Sequence, residues 1–358
     1  MNFSNFHKCS LCCAPTPIHP LPNISKELRC SIFVKRDDLN GSGFGGNKLR
    51  KLEYIMQDAL EHHAKAIITY GSLQTNHGLL TAVSATRLGL KCILILMLED
   101  DSSFSRLSGN LLLDELAGCS IEVLDVRDIM SSALTPGEKD LLCQNRLSEQ
   151  ITRIKEQYKA LFHLDDKDFY FIPSAGSTPI GTLGYVDCMK EIISQTTVPF
   201  DYIFCGMGSG GTYAGLWLGN QYFKQNAQVI GICIEEMAAE KPGFIANLIR
   251  QCAAKMEFKV FPEESDFLFL SNAVSKGYAV PDEETWSVIR HVVQTEGFFL
   301  DPVYTGKIFN GAFKYLAAVK PPKNSRVLIL HSGGLPGLFN ENMADDLSLG
   351  SSLLGGRR

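Results

Sequence analysis

Short runs of Ile, Val, Leu and Phe recur along the chain and alternate with longer amphipathic stretches. The runs occupy residues 31–35, 66–70, 93–98, 121–124, 169–172, 202–205, 229–234 and 327–330. They are continuously apolar rather than alternating, which is typical of parallel strands covered on both faces. Apolar positions with helical spacing fill intervals such as 48–62, 77–88, 110–117 and 212–224. This rhythm predicts an α/β protein with two open parallel sheets, one in each of two domains.

The domain division is suggested by the segment 135–168, which is polar, helical in spacing and without a strand-like run. A chain of 358 residues is long enough for two cores. We therefore expect a larger domain from 1–50 and 165–340, and a smaller one from 51–164 inserted between its halves. The last stretch, 341–358, is rich in Ser, Gly, Leu and Arg and is expected to be a disordered tail.

Composition excludes some partners and favours a cytoplasmic location. A net charge of −5 gives no electrostatic reason to expect a nucleic acid. No apolar run reaches membrane-spanning length, and the N-terminus lacks the basic and then apolar pattern of a secretory signal. The eleven cysteines are odd in number and partly lie in strand-like runs, which favours reduced thiols. His7, Cys9, Cys12 and Cys13 crowd together, but no second ligand pair follows, so no bound metal is expected.

The first candidate site is the glycine-rich segment 40–48, which ends in Gly-Gly-Asn-Lys before a helical stretch. Glycines let the backbone approach a ligand closely, and Asn47 is a suitable helix N-cap. Lys48 then stands in the first turn, where the helix dipole disfavours its ammonium form and favours the free amine needed for covalent catalysis. A solvated lysine beside a flexible loop explains the spacing equally well.

Two further segments follow strand-like runs. Residues 71–77 contain Gln74, Thr75, Asn76 and His77, which could receive a carboxylate, although helix capping explains one such residue. Residues 206–212 read Gly-Met-Gly-Ser-Gly-Gly-Thr and predict a phosphate cradle. The same loop also suits a dinucleotide, with Glu235 where a ribose-binding acid would lie.

Two tyrosines and one strand end complete the candidates. Tyr278 and Tyr304 could serve in proton transfer or ring positioning, although a buried tyrosine with one hydrogen bond is the commoner case. The segment 331–334, His-Ser-Gly-Gly, lies at the end of a predicted strand, where ligands gather in α/β sheets.

In their order along the chain, these segments resemble the family of 1-aminocyclopropane-1-carboxylate deaminases and D-cysteine desulfhydrases. These are pyridoxal 5'-phosphate (PLP) enzymes related to the tryptophan synthase β subunit. The resemblance extends from Thr-Pro-Ile-His-Pro-Leu-Pro at 16–22, through Lys-Arg-Asp-Asp-Leu at 35–39, to Gly-Gly-Leu-Pro-Gly-Leu at 333–338. It covers most of the chain, and the motifs are specific only when taken jointly.

The resemblance implies a tryptophan synthase β-like fold with PLP in the cleft between two domains, and a homodimer. Lys48 would carry PLP and move the α-proton of a small amino-acid substrate, and Asn76 would bond the phenolic oxygen of the cofactor. The turn of Gln74, Thr75, Asn76 and His77 would receive the substrate carboxylate. Two tyrosines, Tyr278 and Tyr304, would lie over the substrate. The phosphate would be held by Gly208, Ser209, Gly210, Gly211 and Thr212. Asn47 and Thr305 would also bind the cofactor.

Two departures from the family pattern bear on the reaction. Thr75 stands where the family commonly has Ser, so a hydroxyl is kept and a methyl is added. Thr305 stands where ring-opening deaminases carry Glu, as it does in the D-cysteine desulfhydrases. A carboxylate beside the pyridine nitrogen would keep it protonated and strongly electron-withdrawing, whereas a hydroxyl would not. Elimination tolerates the weaker sink because electrons leave with the thiolate, so β-elimination from D-cysteine is favoured.

Other functions remain open from sequence alone. A ring-opening deaminase or an amino-acid racemase would use the same cofactor and lysine. A dinucleotide-binding oxidoreductase would explain 206–212 but not 43–48. A relative that binds a ligand without turnover would also keep these motifs.

Overall fold

Two open sheets organise the fold, as the alternating pattern predicts. The computed structural model describes residues 3–100, 107–341 and 343. The strands are β1 Ile18–Pro20, β2 Ser31–Arg36, β3 Ala66–Ser72, β4 Lys91–Leu98, β5 Ser120–Asp125, β6 Phe169–Ile172, β7 Tyr202–Met207, β8 Gln228–Cys233, β9 Leu268–Leu270 and β10 Arg326–His331. One sheet has the order β1-β2-β10-β7-β8-β9 and the other β5-β4-β3-β6. Only the β1–β2 pairing is antiparallel among the strand pairs of these described residues.

Helices cover the sheets. They are α1 Pro22–Leu28, α2 Asn47–Glu61, α3 Asn76–Arg87, α4 Gly109–Leu116, α5 Arg127–Met130, α6 Pro136–Phe162, α7 Pro179–Ser194, α8 Gly211–Tyr222, α9 Lys241–Lys255, α10 Glu283–Glu296 and α11 Thr305–Val319. The strands carry the cores: Ile67, Ile93 and Ile95 are fully buried in the four-stranded sheet. The polar segment after residue 135 forms the long helix α6, which Thr135 and Glu138 begin with a capping box.

The smaller sheet extends beyond the predicted domain boundary at residue 164. β6 pairs with β3 in parallel, from Ala66 opposite Phe169 to Thr69 opposite Ile172. The residue ranges of the two domains stay a prediction. The predicted tail at 341–358 lies outside the described residues, apart from 341 and 343. None of the helices within the described ranges combines the length and the apolar character needed to span a bilayer.

A buried ionic cluster fixes the start of α2, which carries Lys48. The Arg50 guanidinium donates to Asp37 at 2.8 and 2.9 Å and to Glu191 on α7 at 2.9 Å. The Tyr185 hydroxyl donates to the same Asp37 carboxylate at 2.7 Å. Because Arg50 and Asp37 are almost fully excluded from solvent, breaking one partner would leave an uncompensated charge. This cluster therefore holds α2 rigidly between β2 and α7.

Candidate active site

A cavity of about 600 Å³ opens where strands of both sheets end. Its walls come from the carboxyl ends of β3, β7, β8 and β10 and from the first turns of α2, α3, α8 and α11. Ligands gather at such strand ends in open α/β sheets. The cavity unites most of the segments singled out in the sequence: Asn47, Lys48, Thr75, Asn76, His77, Gly208, Ser209, Gly210, Thr212, Tyr278, Tyr304 and Ser332.

Lys48 points into this cavity rather than to bulk solvent. Its Nζ lies 3.0 Å from Asn47 Oδ1 and 5.7 Å from the ring centroid of Tyr304. Burial lowers the pKa of Lys48 to about 8, and the negative charge of Asp301 opposes that effect. The side chain therefore releases its proton far more readily than an exposed lysine and supplies a nucleophilic amine.

Asn47 has a different role from the one its position suggested. The prediction that it caps α2 is wrong, because Gly46 occupies the cap position with a φ of 124° and Asn47 is the first helical residue. Its amide nitrogen donates to Thr212 Oγ1 at 2.9 Å, while its oxygen faces the Lys48 amine. Asn47 thus connects the reactive lysine to the glycine loop 206–212.

The glycine loop forms an open cradle at the start of α8. The backbone N–H of Gly211 donates to Ser177 Oγ at 3.2 Å, and the Ser177 and Ser209 hydroxyls are 2.8 Å apart. A Cβ on Gly211 would lie only 2.7 Å from Ser177 Oγ and 2.9 Å from Lys51 Nζ. A side chain at Gly211 would therefore collide with groups that line the cradle.

Lys51 lies beside the glycine loop and is a candidate site residue that the sequence reasoning missed. It is 1% exposed, and its hydrogen-bond partners among the described residues are neutral oxygens, those of Ala175 and Ser177, each at 3.1 Å. Burial lowers its pKa well below the usual value, and the charge of Lys48 adds to this effect. A phosphate beside Lys51 would compensate its charge, as buried ammonium groups require. The signal was its spacing, three residues after Lys48 on the same face of α2.

The segment 71–77 divides its polar residues among several tasks. Thr75 caps α3, since its hydroxyl accepts from Gly78 N at 3.1 Å, as the capping explanation holds. Asn76 faces the main cavity, and its Oδ1 accepts from Asn110 Nδ2 at 2.8 Å. Gln74 lines an adjoining cavity of about 410 Å³ and bonds the start of α4 through Ser108 O and Asn110 N.

His77 is neutral in this environment. Burial lowers its pKa to about 3, and the charges of Lys48 and Lys51 act in the same direction. Its Nε2 lies 3.0 Å from Thr69 Oγ1, and that hydroxyl donates to Ile172 O at 2.8 Å. Nε2 must therefore carry the ring proton and donate it to Thr69.

The two candidate tyrosines form a hydrogen-bonded pair on the cavity wall. Their hydroxyl oxygens are 2.5 Å apart, and both rings line the cavity that contains Lys48. Burial raises the pKa of Tyr304 well above its usual value, and that of Tyr278 also rises. Both hydroxyls are therefore protonated at neutral pH and can donate to a developing anion.

Thr305 lies in a more enclosed place than its neighbours. Tyr304 and Ile308 line the cavity, whereas Thr305 is fully buried and its hydroxyl donates to Asp301 Oδ1 at 2.6 Å. Asp301 in turn accepts from the backbone N–H of Thr305 at 2.8 Å. Thr305 and Asp301 thus form one unit at the start of α11.

The donor set fits an aldehyde cofactor with a phosphate. Lys48 would carry its aldehyde carbon, and the loop 208–212 together with Lys51 would hold its phosphate. The buried Lys51 amine, which donates to the neutral oxygens of Ala175 and Ser177, calls for an anion there. Fold and site together define an enzyme of the PLP-dependent class.

Comparison with known proteins assigns the family. Residues 10–333 match the family model described as pyridoxal-phosphate dependent enzyme, and the chain belongs to this family. A protein of Pyrococcus horikoshii, provisionally named 1-aminocyclopropane-1-carboxylate deaminase, is 37% identical over 91% of each chain. A D-cysteine desulfhydrase of Klebsiella pneumoniae is 34% identical over 94% of this chain and 97% of its own.

A solved structure supports the same assignment. The crystal structure of an ACC deaminase homologue superposes with a TM-score of 0.81 at 35% identity and covers 96% of each chain. The resemblance inferred from the motifs and the predicted fold are both confirmed. The family also makes PLP, and not a dinucleotide, the cofactor of this chain.

Proposed function

We propose that this enzyme eliminates the thiol group of D-cysteine, converting D-cysteine and water to pyruvate, ammonia and hydrogen sulfide. The observation that carries the proposal is the placement of the Lys48 amine and the paired hydroxyls of Tyr278 and Tyr304 in one cavity. The elimination needs a base for the proton on Cα and an acid for the sulfur that leaves Cβ, and these groups can supply both. The similarity to a D-cysteine desulfhydrase adds support.

Each residue has a distinct task in this scheme. PLP, when bound, supplies the electron sink that acidifies the Cα–H bond. Lys48 takes the α-proton, and its lowered pKa keeps a neutral amine accessible near pH 8. Tyr304, backed by Tyr278, donates a proton toward the departing sulfur. Asn76 and the N–H groups of the turn around Thr75 receive the substrate carboxylate.

Ring opening of 1-aminocyclopropane-1-carboxylate is the second candidate, because a similar protein is named for it. The same cavity would serve either substrate. We favour elimination because the family resemblance would place Thr305, and no carboxylate, beside the pyridine nitrogen, and opening an unactivated cyclopropane needs a stronger electron sink than thiolate loss does. The buried Asp301 is already engaged by Thr305 and three backbone N–H groups.

Product analysis on four substrates tests the proposal. We expect the purified PLP-loaded enzyme to release equal amounts of pyruvate, ammonia and sulfide from D-cysteine. With L-cysteine and the cyclopropane amino acid, we expect kcat/KM to be at least about 10²-fold lower, a difference of roughly 3 kcal/mol in transition-state binding. D-Serine should react slowly because hydroxide is a poorer leaving group. Formation of 2-oxobutanoate from the cyclopropane substrate at a higher kcat/KM would instead establish the second candidate.

Thr305→Glu tests the electronic reason for this preference. A carboxylate at this position should raise ring-opening activity and leave thiol elimination unchanged or slower, because only ring opening depends on the stronger sink. Thr305→Gln, which has the same size and no charge, is the matched control. Equal kcat/KM ratios for the two substrates in Thr305→Glu, Thr305→Gln and the parent enzyme would contradict the argument.

We also propose that the enzyme is a cytoplasmic homodimer. Leu39, Phe44 and Phe299 are 49%, 58% and 58% exposed around one groove, an apolar patch suited to a second copy of the chain. All eleven cysteines are free thiols, which suits a reducing compartment. Light scattering should give twice the chain mass, and Phe299→Glu should give the monomer mass if the patch is the interface. Fractionation of the producing cells tests the location.

A further inference from the structure

Lys307 is a buried lysine in an unfavourable place that the reaction scheme does not use. It is fully excluded from solvent and stands in the first turn of α11, where the helix dipole disfavours a cation. The carboxylates of Asp282, Glu235 and Asp301 act on it electrostatically and not through hydrogen bonds. A lysine in such a site needs other partners.

Three backbone carbonyls provide them. Lys307 Nζ donates to Ile234 O at 3.1 Å, to Val274 O at 2.9 Å and to Gly277 O at 2.5 Å. An ammonium group has three donors, so it satisfies all three acceptors at once. One carbonyl follows β8, and two belong to the loop 271–280, which carries Tyr278.

Near Tyr278, the loop 271–280 combines left-handed backbone conformations with long backbone hydrogen bonds. Ser275, Gly277 and Ala279 have positive φ values of 63°, 126° and 57°. Within the loop, the backbone bonds from Gly277 N to Val274 O and from Val280 N to Gly277 O are both long, at 3.4 Å. These are the same two carbonyls that Lys307 binds. The strained backbone therefore depends on the lysine for its strongest hydrogen bonds.

We propose that Lys307 is a positioning residue whose ammonium group fixes the loop 271–280, so that the Tyr278 hydroxyl meets that of Tyr304. The start of α11 then positions both tyrosines of the pair. Tyr304 directly precedes α11, and Lys307, which holds the loop with Tyr278, lies in its first turn. The catalytic part of this inference rests on the proposed function, since it assumes that the tyrosine pair donates a proton. The structural part does not.

Hydrogen exchange in the holoenzyme tests the structural part without substrate. Lys307→Met should accelerate amide exchange in a peptide covering 271–280 by at least about tenfold, because the loop opens more often without the hydrogen bonds of the lysine. Lys314→Met is the matched control: Lys314 lies on the same helix and donates to Asn272 O of the same loop at 3.2 Å, but its side chain is 40% exposed. Unchanged exchange in Lys307→Met, or the same change in both variants, would overturn the proposal.

Turnover tests the catalytic part. With D-cysteine, kcat of Lys307→Met should fall by roughly 10- to 100-fold, as expected for a catalytic group displaced by about 1 Å, while KM and the visible absorbance of bound PLP stay near those of the parent.

Lys307→Gln keeps two N–H donors and should be intermediate in both exchange and kcat. It decides the matter if Lys307→Met does not fold. Faster exchange with unchanged kcat would refute the catalytic part. Faster exchange in an enzyme that does not act on D-cysteine would refute the proposed function only.

Discussion

Lys48→Ala should retain PLP weakly and lose turnover almost completely. The substitution removes both the covalent attachment of PLP and the base at Cα, which serve two successive steps of turnover. We expect kcat to fall by roughly 10⁴-fold, the upper end of what a positioned base contributes. After borohydride treatment, the parent enzyme should carry a reduced cofactor on the peptide that contains Lys48, and the variant should carry none.

Lys51→Met is the matched control for this prediction. Lys51 is also buried and lies one helical turn further along α2, but it faces Ser177 and the glycine cradle. Its loss should weaken PLP binding, and excess PLP should restore most of the turnover. If Lys51→Met instead abolished the borohydride adduct and Lys48→Ala retained it, the assignment of the two lysines would be reversed.

The pH dependence of PLP attachment follows from the same lysine. A lowered pKa means that the proton leaves at lower pH, so the reactive neutral amine accumulates as pH rises toward about 8. The attachment rate to the apoenzyme should therefore rise about tenfold for each pH unit below 8 and level off above it. With an ordinary exposed lysine, the attachment rate would keep rising beyond pH 10, and such a profile would contradict burial of Lys48.

The strands were predictable because their signal is local. All eight apolar runs are strands, and β6 has the predicted bounds of 169–172. The two strands missed, β1 and β9, have three residues each at the two edges of the larger sheet. The Pro in β1 is tolerated only at such a position, and β9, although apolar as Leu-Phe-Leu, is shorter than the other runs. Their pairing depends on the neighbouring strand more than on their own residues.

The candidate site was predictable in outline but not in its connections. Glycine runs after apolar strands mark ligand loops whatever the tertiary structure, so 40–48 and 206–212 were found. The local sequence predicts Asn47 as a helix cap, because Asn is common at that position. Its partner in the structure, Thr212, is 165 residues away. Asn110, which holds Asn76, and Lys307, which holds the Tyr278 loop, also act on partners distant in sequence, 34 and 30 residues away. No spacing rule signals such pairs.

Tyr304→Phe should separate proton donation from other roles of the tyrosine pair. If Tyr304 protonates the departing sulfur, its removal should lower kcat with D-cysteine by roughly 10²-fold, the lower end of a general-acid contribution. β-Chloro-D-alanine loses chloride, which needs no proton, so its rate should fall less than about tenfold. Coupled pyruvate assays on both substrates give the comparison directly.

Tyr278→Phe provides the internal control because the two hydroxyls share one hydrogen bond of 2.5 Å. The Tyr304 ring lies 5.7 Å from Lys48 Nζ, and we assign the proton donation to Tyr304, so its loss should cost more than the loss of Tyr278. The double variant should be little worse than Tyr304→Phe alone, since Tyr278 acts through its partner. Equal losses on both substrates would mean that the pair serves the α-proton or the substrate position instead, because that step is common to every leaving group.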